Sequence, residues 1–186
     1  MVTQTRRRTD TRGEIQRAAL RRFTTQGYDA TSLREIAEDL GVTKAAVYYH
    51  FPTKDDILES LLSDLASSLD ELITWARAEP STRERRVEVL HRLAVATRGS
   101  LGPLMRCAQQ NELALAAIPA GLEAVKQYKR ELWAVATPPD ATVEDVLRAR
   151  LAIMAVLFAN QAGDDIGGTE DERMAAALRI ADEVLP

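Results

Sequence analysis

At 186 residues, 46% hydrophobic and 28% charged, the chain has the make-up of a soluble globular protein of one or two domains, not a disordered or fibrous one. A single cysteine cannot form an intramolecular disulfide, which points to a reducing cytoplasmic setting, and the longest unbroken apolar run, Leu151–Ala159, falls well short of the ~20 residues that span a bilayer. The net charge of −4 is unevenly placed: residues 1–54 hold ten Lys/Arg and six Asp/Glu, the remainder fourteen and twenty-two, so a basic end is joined to an acidic body and a polyanion is drawn to that end.

Residues 1–9 (MVTQTRRRT) have no hydrophobic period and carry Arg6, Arg7 and Arg8 in succession, with no apolar run after them of the kind an export signal needs. A flexible basic arm is expected, either solubilising or adding phosphate and minor-groove contacts. Thr11–Gln26 reads as an amphipathic helix. Ile15, Ala18, Ala19, Leu20 and Phe23 form its apolar face, Arg12, Arg17, Arg21 and Arg22 lie largely off it, Asp10 or Thr11 caps it and Gly27 stops it. Tyr28 then anchors the turn in a small core.

In Thr31–Lys54, Thr31 or Ser32 can cap a helix whose Leu33, Ile36, Ala37 and Leu40 recur at three- and four-residue spacing. Gly41 suits a turn through positive φ, Val42 plugs it, and Thr43 caps a second helix, Lys44–His50, that buries Val47 with Phe51 close behind. Pro52 ends it. Two short helices about a glycine turn make a helix-turn-helix, whose second helix can enter a DNA major groove. Lys44, Lys54 and Arg34 can neutralise phosphates, and Thr31, Ser32 and Thr43 offer short hydroxyls. Ala45 and Ala46 permit close approach to base edges, while Tyr48, Tyr49 and His50 present flat bodies with polar tips. The same two-helix pattern also occurs in helical domains that never touch DNA, and Tyr48 and His50 suit either core packing or backbone contact. The Tyr-x-His-Phe ending and the basic flanks favour DNA.

These residues resemble the tetracycline-repressor-type (TetR) regulators. Arg12, Ile15, Ala18, Ala19, Phe23, Gly27, Tyr28, Thr31, Ser32, Ile36, Ala37, Gly41, Val42, Tyr48, His50, Phe51 and Lys54 stand in that family's register, over about residues 12–60. So many fixed positions form a specific pattern. The resemblance implies a DNA-binding regulator with a helical effector-binding and dimerisation domain.

The rest of the chain keeps a helical period. Thr53–Glu79 reads as one long helix carrying Ile57, Leu58, Leu61, Leu62, Leu65, Leu69, Leu72, Ile73 and Ala76, closed by Pro80 and Ser81, with no flexible linker before it. Thr82–Arg98 follows, and Gly99–Pro103 is expected to break it. Leu104–Gln110 is a short helix, Asn111 caps another segment to Ile118, and Pro119 interrupts before a helix over Ala120–Thr137. Pro138 and Pro139 stop that one, and Thr142 with Asp145 caps a helix to about Gln161. This helix is apolar nearly all round from Leu151 to Ala159, so protein must cover two faces. Leu147, Leu151, Met154 and Phe158 are expected to face the core, and Val146, Ala149, Ala152, Ile153 and Val156 a partner. After a Gly163–Gly168 loop, Thr169–Leu185 places Met174, Ala177, Leu178, Ala181 and Leu185 on one stripe. By the resemblance, two such helices per chain form a four-helix homodimer interface.

Catalytic signatures are sparse. His50 and His91 are far apart, and no metal-binding cluster, nucleophile elbow or phosphate loop is present in the sequence. Cys107 reads as buried filler rather than a redox sensor, and Asp164–Asp165 as a solvated pair. An enzyme is not expected. Trp75, Leu104, Met105, Trp133, Met154 and Phe158 can line an apolar cavity, with Gln109, Gln110, Asn160 and Gln161 as polar contacts, for a small apolar or amphipathic effector of unknown identity; the same residues also read as plain core.

The expectation is an all-α protein of about nine helices: a basic arm (1–9), a helix-turn-helix domain (10–54) and a helical effector and dimerisation domain (55–186). It would act as a cytoplasmic regulator on a near-palindromic duplex, with no cofactor, metal or membrane partner. The alternatives are a helical protein-interaction module that has lost DNA binding, or a regulator without an effector.

Overall fold

The computed structural model describes the backbone of residues 2–99, 101–111, 119–161 and 166–186, and the side chains of these except 2–10, 109, 119–122, 124, 125, 160 and 161. Among the described residues there are nine helices and no strand: α1 (Val2–Thr25), α2 (Leu33–Leu40), α3 (Lys44–His50), α4 (Lys54–Arg77), α5 (Arg83–Arg98), α6 (Leu101–Gln110), α7 (Pro119–Ala136), α8 (Val143–Gln161) and α9 (Glu170–Val184). The expected all-α class is the one observed. Beyond Asn111, the segment expected to run to Ile118 lies outside the described residues, as do the Asp164–Asp165 pair and the side chains of Gln109, Asn160 and Gln161.

Three boundaries differ from expectation, each for a local reason. α1 starts at Val2, so the arm continues the helix instead of leading up to a cap at Asp10 or Thr11; nothing before Gly13 breaks a helix, and arginine and glutamine favour one. α6 takes in Gly102 and Pro103, because a proline in the first turn forfeits an N–H that has no intrahelical partner there. α7 starts on Pro119 for the same reason.

The residues fall into two compact units, Met1–Leu65 with Pro103–Ala124, and Ala66–Gly102 with Val125–Pro186. The first reaches beyond the expected boundary at Lys54. Its first three helices bury Ile15, Ala18, Ala19, Phe23, Ile36 and Val47, with Phe51 just after α3, too little for a core alone, and Ile57, Leu58, Leu61, Leu62 and Leu65 from the first turns of α4 complete it. α4 opens on a reciprocal cap: the Thr53 backbone N–H and hydroxyl donate to Asp56 at 2.7 and 2.6 Å, and the Asp56 N–H donates back to Thr53 at 3.1 Å.

In the second unit α8 and α9 pack on each other and α5 packs on both. Here the expected faces of α8 are exchanged. Ala149, Ala152, Ile153 and Val156 are fully buried, whereas Leu147, Leu151, Met154 and Phe158 are 49–60% exposed. Small side chains let neighbouring helix axes come close, and the bulky stripe is left outside. Met174, Ala177 and Ala181 of α9 are likewise buried within this unit, and Leu178 is half-buried. The residues expected at a dimer interface (Val146, Ala149, Ile153, Val156, Met174, Leu178 and Ala181) are therefore core or half-buried, and none of them is exposed.

Candidate nucleic-acid interface

Local chemistry fixes α2 and α3. Ser32 caps α2: its hydroxyl accepts the Glu35 N–H at 3.3 Å, and the Glu35 carboxylate accepts the Ser32 N–H at 2.8 Å. These bonds to Ser32, before any charge effect, hold the Glu35 carboxyl below its ordinary range. Gly41 closes α2 at φ +62°, and the N–H of Val42 returns to the Ala37 carbonyl at 3.0 Å. Thr43 then caps α3, accepting the Ala46 N–H at 3.2 Å.

Of the seven residues of α3, Val47 is the one buried. Lys44, Ala45, Tyr48 and Tyr49 are exposed, Tyr49 at 67% and Tyr48 at 42%; Ala46 and His50 are half-buried. The Lys44 ammonium lies 5.1 Å from the Tyr48 ring, and the Tyr49 and His50 rings meet edge to face at 5.2 Å. Thr43 and Ser32 are exposed as well, though each hydroxyl is engaged in a cap. Arg34 is exposed and paired with Glu38 at 2.8 Å. A cationic and aromatic face with small residues between is what a groove-reading helix presents.

Two of the expected contact residues are placed elsewhere. Thr31 is 3% exposed, and its hydroxyl donates to the Gly27 carbonyl at 2.8 Å. Lys54 turns inward: its ammonium donates to the carbonyls of Tyr28 at 2.6 Å and Thr31 at 3.0 Å and sits 4.1 Å from the Tyr28 ring. Both hold the turn between α1 and α2. An inward lysine at this spacing looks the same in sequence as an outward one.

Charged residues of α1 with no legible role also act as braces. Arg22 forks onto Asp39 at 2.5 and 2.7 Å and reaches Glu35 at 3.2 Å, tying α1 to α2. The hydrogen bond from Arg22 depresses the Asp39 carboxyl. Arg12 donates to the His50 carbonyl at 3.1 Å and stacks 4.1 Å from the Phe51 ring. Tyr28 donates its phenol to Asp55, and burial, before that bond, raises the phenol well above its ordinary value.

The six residues expected to line an effector cavity are divided between the two units. Leu104 and Met105 belong to the first unit, Met154 and Phe158 are exposed, and Trp133 is half-buried with Arg150 at 4.6 Å. Trp75 lies between the guanidiniums of Arg85 and Arg92, each 3.7 Å away. Beside it the second unit has a groove of 620 Å³ whose lining includes Leu72, Trp75, His91, Val95, Met174 and Leu178. Cys107 is buried, and burial pushes its thiol up to about 11, so it is protonated at neutral pH. No group of three or more metal-ligating side chains occurs among the described residues, and no described helix is long and apolar enough to cross a membrane.

Residues 15–61 match the family model described as "Bacterial regulatory proteins, tetR family". The HTH-type transcriptional regulator TtgR of Pseudomonas putida is 41% identical over 75 residues, 40% of this chain and 34% of TtgR. The negative transcriptional regulator IcaR of the biofilm operon icaADBC of Staphylococcus aureus is 36% identical over 55 residues, 30% of each chain. The match thus spans about a third of the length of these curated relatives. The crystal structure of Mycobacterium smegmatis AmtR superposes with a TM-score of 0.68 at 27% identity, over 92% of this chain and 86% of that one.

Proposed function

Because this chain belongs to the tetR family of bacterial regulatory proteins, we propose that it is a sequence-specific DNA-binding transcriptional regulator, acting as a homodimeric repressor whose hold on DNA responds to a small molecule. One observation carries the DNA reading: α3 buries one side chain, Val47, in its own fold and offers Lys44, Ala45, Tyr48 and Tyr49 exposed, on a base set by two caps and a glycine turn. The negative regulation named for IcaR supports repression as the sign.

A second copy would bind through α8. Leu147, Leu151, Met154 and Phe158 fall four, three and four residues apart, the spacing of a helix–helix seam, and Ile180 of α9 is also exposed. A dimer places two recognition helices on half-sites about one DNA turn, ~34–36 Å, apart. The effector would be small and apolar or amphipathic, and the groove beside Trp75 supports that reading. α4 is continuous from Lys54 to Arg77, an unbroken helix of about 36 Å, and is our proposed lever between effector and half-site spacing.

The test is anisotropy titration of full-length protein onto duplexes selected in vitro from a random pool, at stated salt. Tyr49→Ala should weaken the selected duplex about tenfold with an unchanged melting temperature. Lys44→Ala should weaken all duplexes alike and flatten the salt dependence by about one phosphate contact. If the wild type enriches no duplex, the DNA reading fails and an interaction module that has lost DNA binding takes its place.

A further inference from the structure

The turn that launches α2 is gripped by a side chain from far along the sequence. Asn111, one residue beyond α6, is 6% exposed. Its amide oxygen accepts the backbone N–H of Tyr28 at 2.8 Å, and its amide nitrogen donates to the carbonyls of Phe23 at 3.2 Å and Cys107 at 2.8 Å. The Phe23 carbonyl is among the last four of α1, which have no partner within the helix, and the Tyr28 N–H opens the turn after Gly27. One buried amide therefore satisfies an orphan acceptor and an orphan donor on either side of Gly27, while its own chain is held at Cys107. Lys54 grips the opposite edge of the same turn through the Tyr28 and Thr31 carbonyls.

From this turn the register passes directly to the reading helix. The Thr31 N–H donates to the Tyr28 carbonyl at 3.1 Å, Ser32 caps α2, and Gly41 hands α2 on to α3. We propose that Asn111 is a positioning residue for DNA recognition: from the end of α6 it fixes the pose in which the α1–α2 turn presents α3, and so sets discrimination between operator and random duplex. This rests on the DNA-binding reading above. Phosphate attraction tolerates a small tilt of α3, whereas base-edge hydrogen bonds do not. Releasing the turn should therefore cost specificity ahead of general affinity.

The experiment uses full-length protein, the in-vitro-selected duplex and a scrambled duplex of the same length, at one ionic strength and well below each variant's melting temperature. Asn111→Leu keeps the approximate volume and removes every side-chain bond of the amide. Asn111→Asp keeps the acceptor for Tyr28 and loses both donors. The expected result is a specific-to-scrambled affinity ratio lowered about tenfold in N111L and by less in N111D, with scrambled affinity within about twofold of wild type. A lower melting temperature with an unchanged ratio in both would mean a merely structural role and overturn the proposal. Should N111L not fold, N111D decides by the same ratio, and hydrogen exchange on the wild type provides an independent check, since an unprotected Tyr28 amide contradicts the grip. A wild type that selects no duplex sinks the DNA reading and this inference together; one that selects a duplex which both variants still discriminate sinks this inference alone.

Discussion

α3 and α8 are held in place by different physics. α3 is seven residues long with one buried side chain, and its position is dictated by directional bonds: the Thr43 cap at its own start, and the Ser32–Glu35 pair and left-handed Gly41 at the two ends of α2 before it. α8 is nineteen residues long and apolar on two sides, and its rotation is dictated by which stripe packs more closely against α5 and α9. Directional contacts leave a surface free for a partner. Burial alone settles only when the neighbouring helices are present. The first arrangement should be sensitive to single polar or glycine changes, the second to changes of volume.

The largest effect is expected on the buried stripe of α8. Ile153→Ala should cost about 2–5 kcal/mol in chemical denaturation, since Ile153 is fully buried. Leu151→Glu, two residues earlier and 60% exposed, should leave the fold intact and shift the protein from dimer to monomer in sedimentation. If Leu151→Glu unfolds the chain while Ile153→Ala is silent, the two faces of α8 have been assigned the wrong way round.

A smaller effect belongs to the turn. An alanine at Gly41 meets no atom within 4 Å, so its cost is backbone strain at φ +62° alone, about 1–2 kcal/mol. Because Gly41 joins α2 to α3, operator affinity should fall with it, whereas dimerisation through the proposed α8 seam should not change. A Gly41→Ala protein with wild-type melting and wild-type affinity would break the distinction between bond-held and burial-held regions.

The same contrast explains what could be read from the chain unaided. Ser32, Gly41, Thr43 and Val47 announce the helix-turn-helix because caps, left-handed glycines and short apolar periods are local properties. α8 offers two apolar stripes of equal periodicity. The stripe with larger side chains looks like core, yet the small one, Ala149, Ala152, Ile153 and Val156, is buried because it admits closer packing. Lys54 and Thr31 fail differently. Both sit in the pattern expected of DNA contacts, and only the fold of the Tyr28 turn shows them spent within it. The Asn111 link joins residues 83 apart, beyond any periodic signal.

The subtlest prediction concerns a device the two regions share. Glu35 at the start of α2, and Asp145 and Glu172 at the starts of α8 and α9, are each held below their ordinary carboxyl range by hydrogen bonds from the cap residue, Ser32, Thr142 and Thr169 respectively. A carboxyl depressed in the folded state binds its proton more readily in the unfolded one. Its stabilisation is therefore complete above the ordinary carboxylate range and drains away as pH falls through the depressed value. Melting temperature should be flat from neutrality down to that range and then decline, in both units together. Glu35→Gln and Glu172→Gln remove the ionised acceptor, so each should lower the neutral plateau slightly and soften the acid decline. Dependence on acid confined to one of these two variants would mean that the caps, alike in geometry, are not alike in energy, and that the division between a bond-held and a burial-held region extends to the helix starts as well.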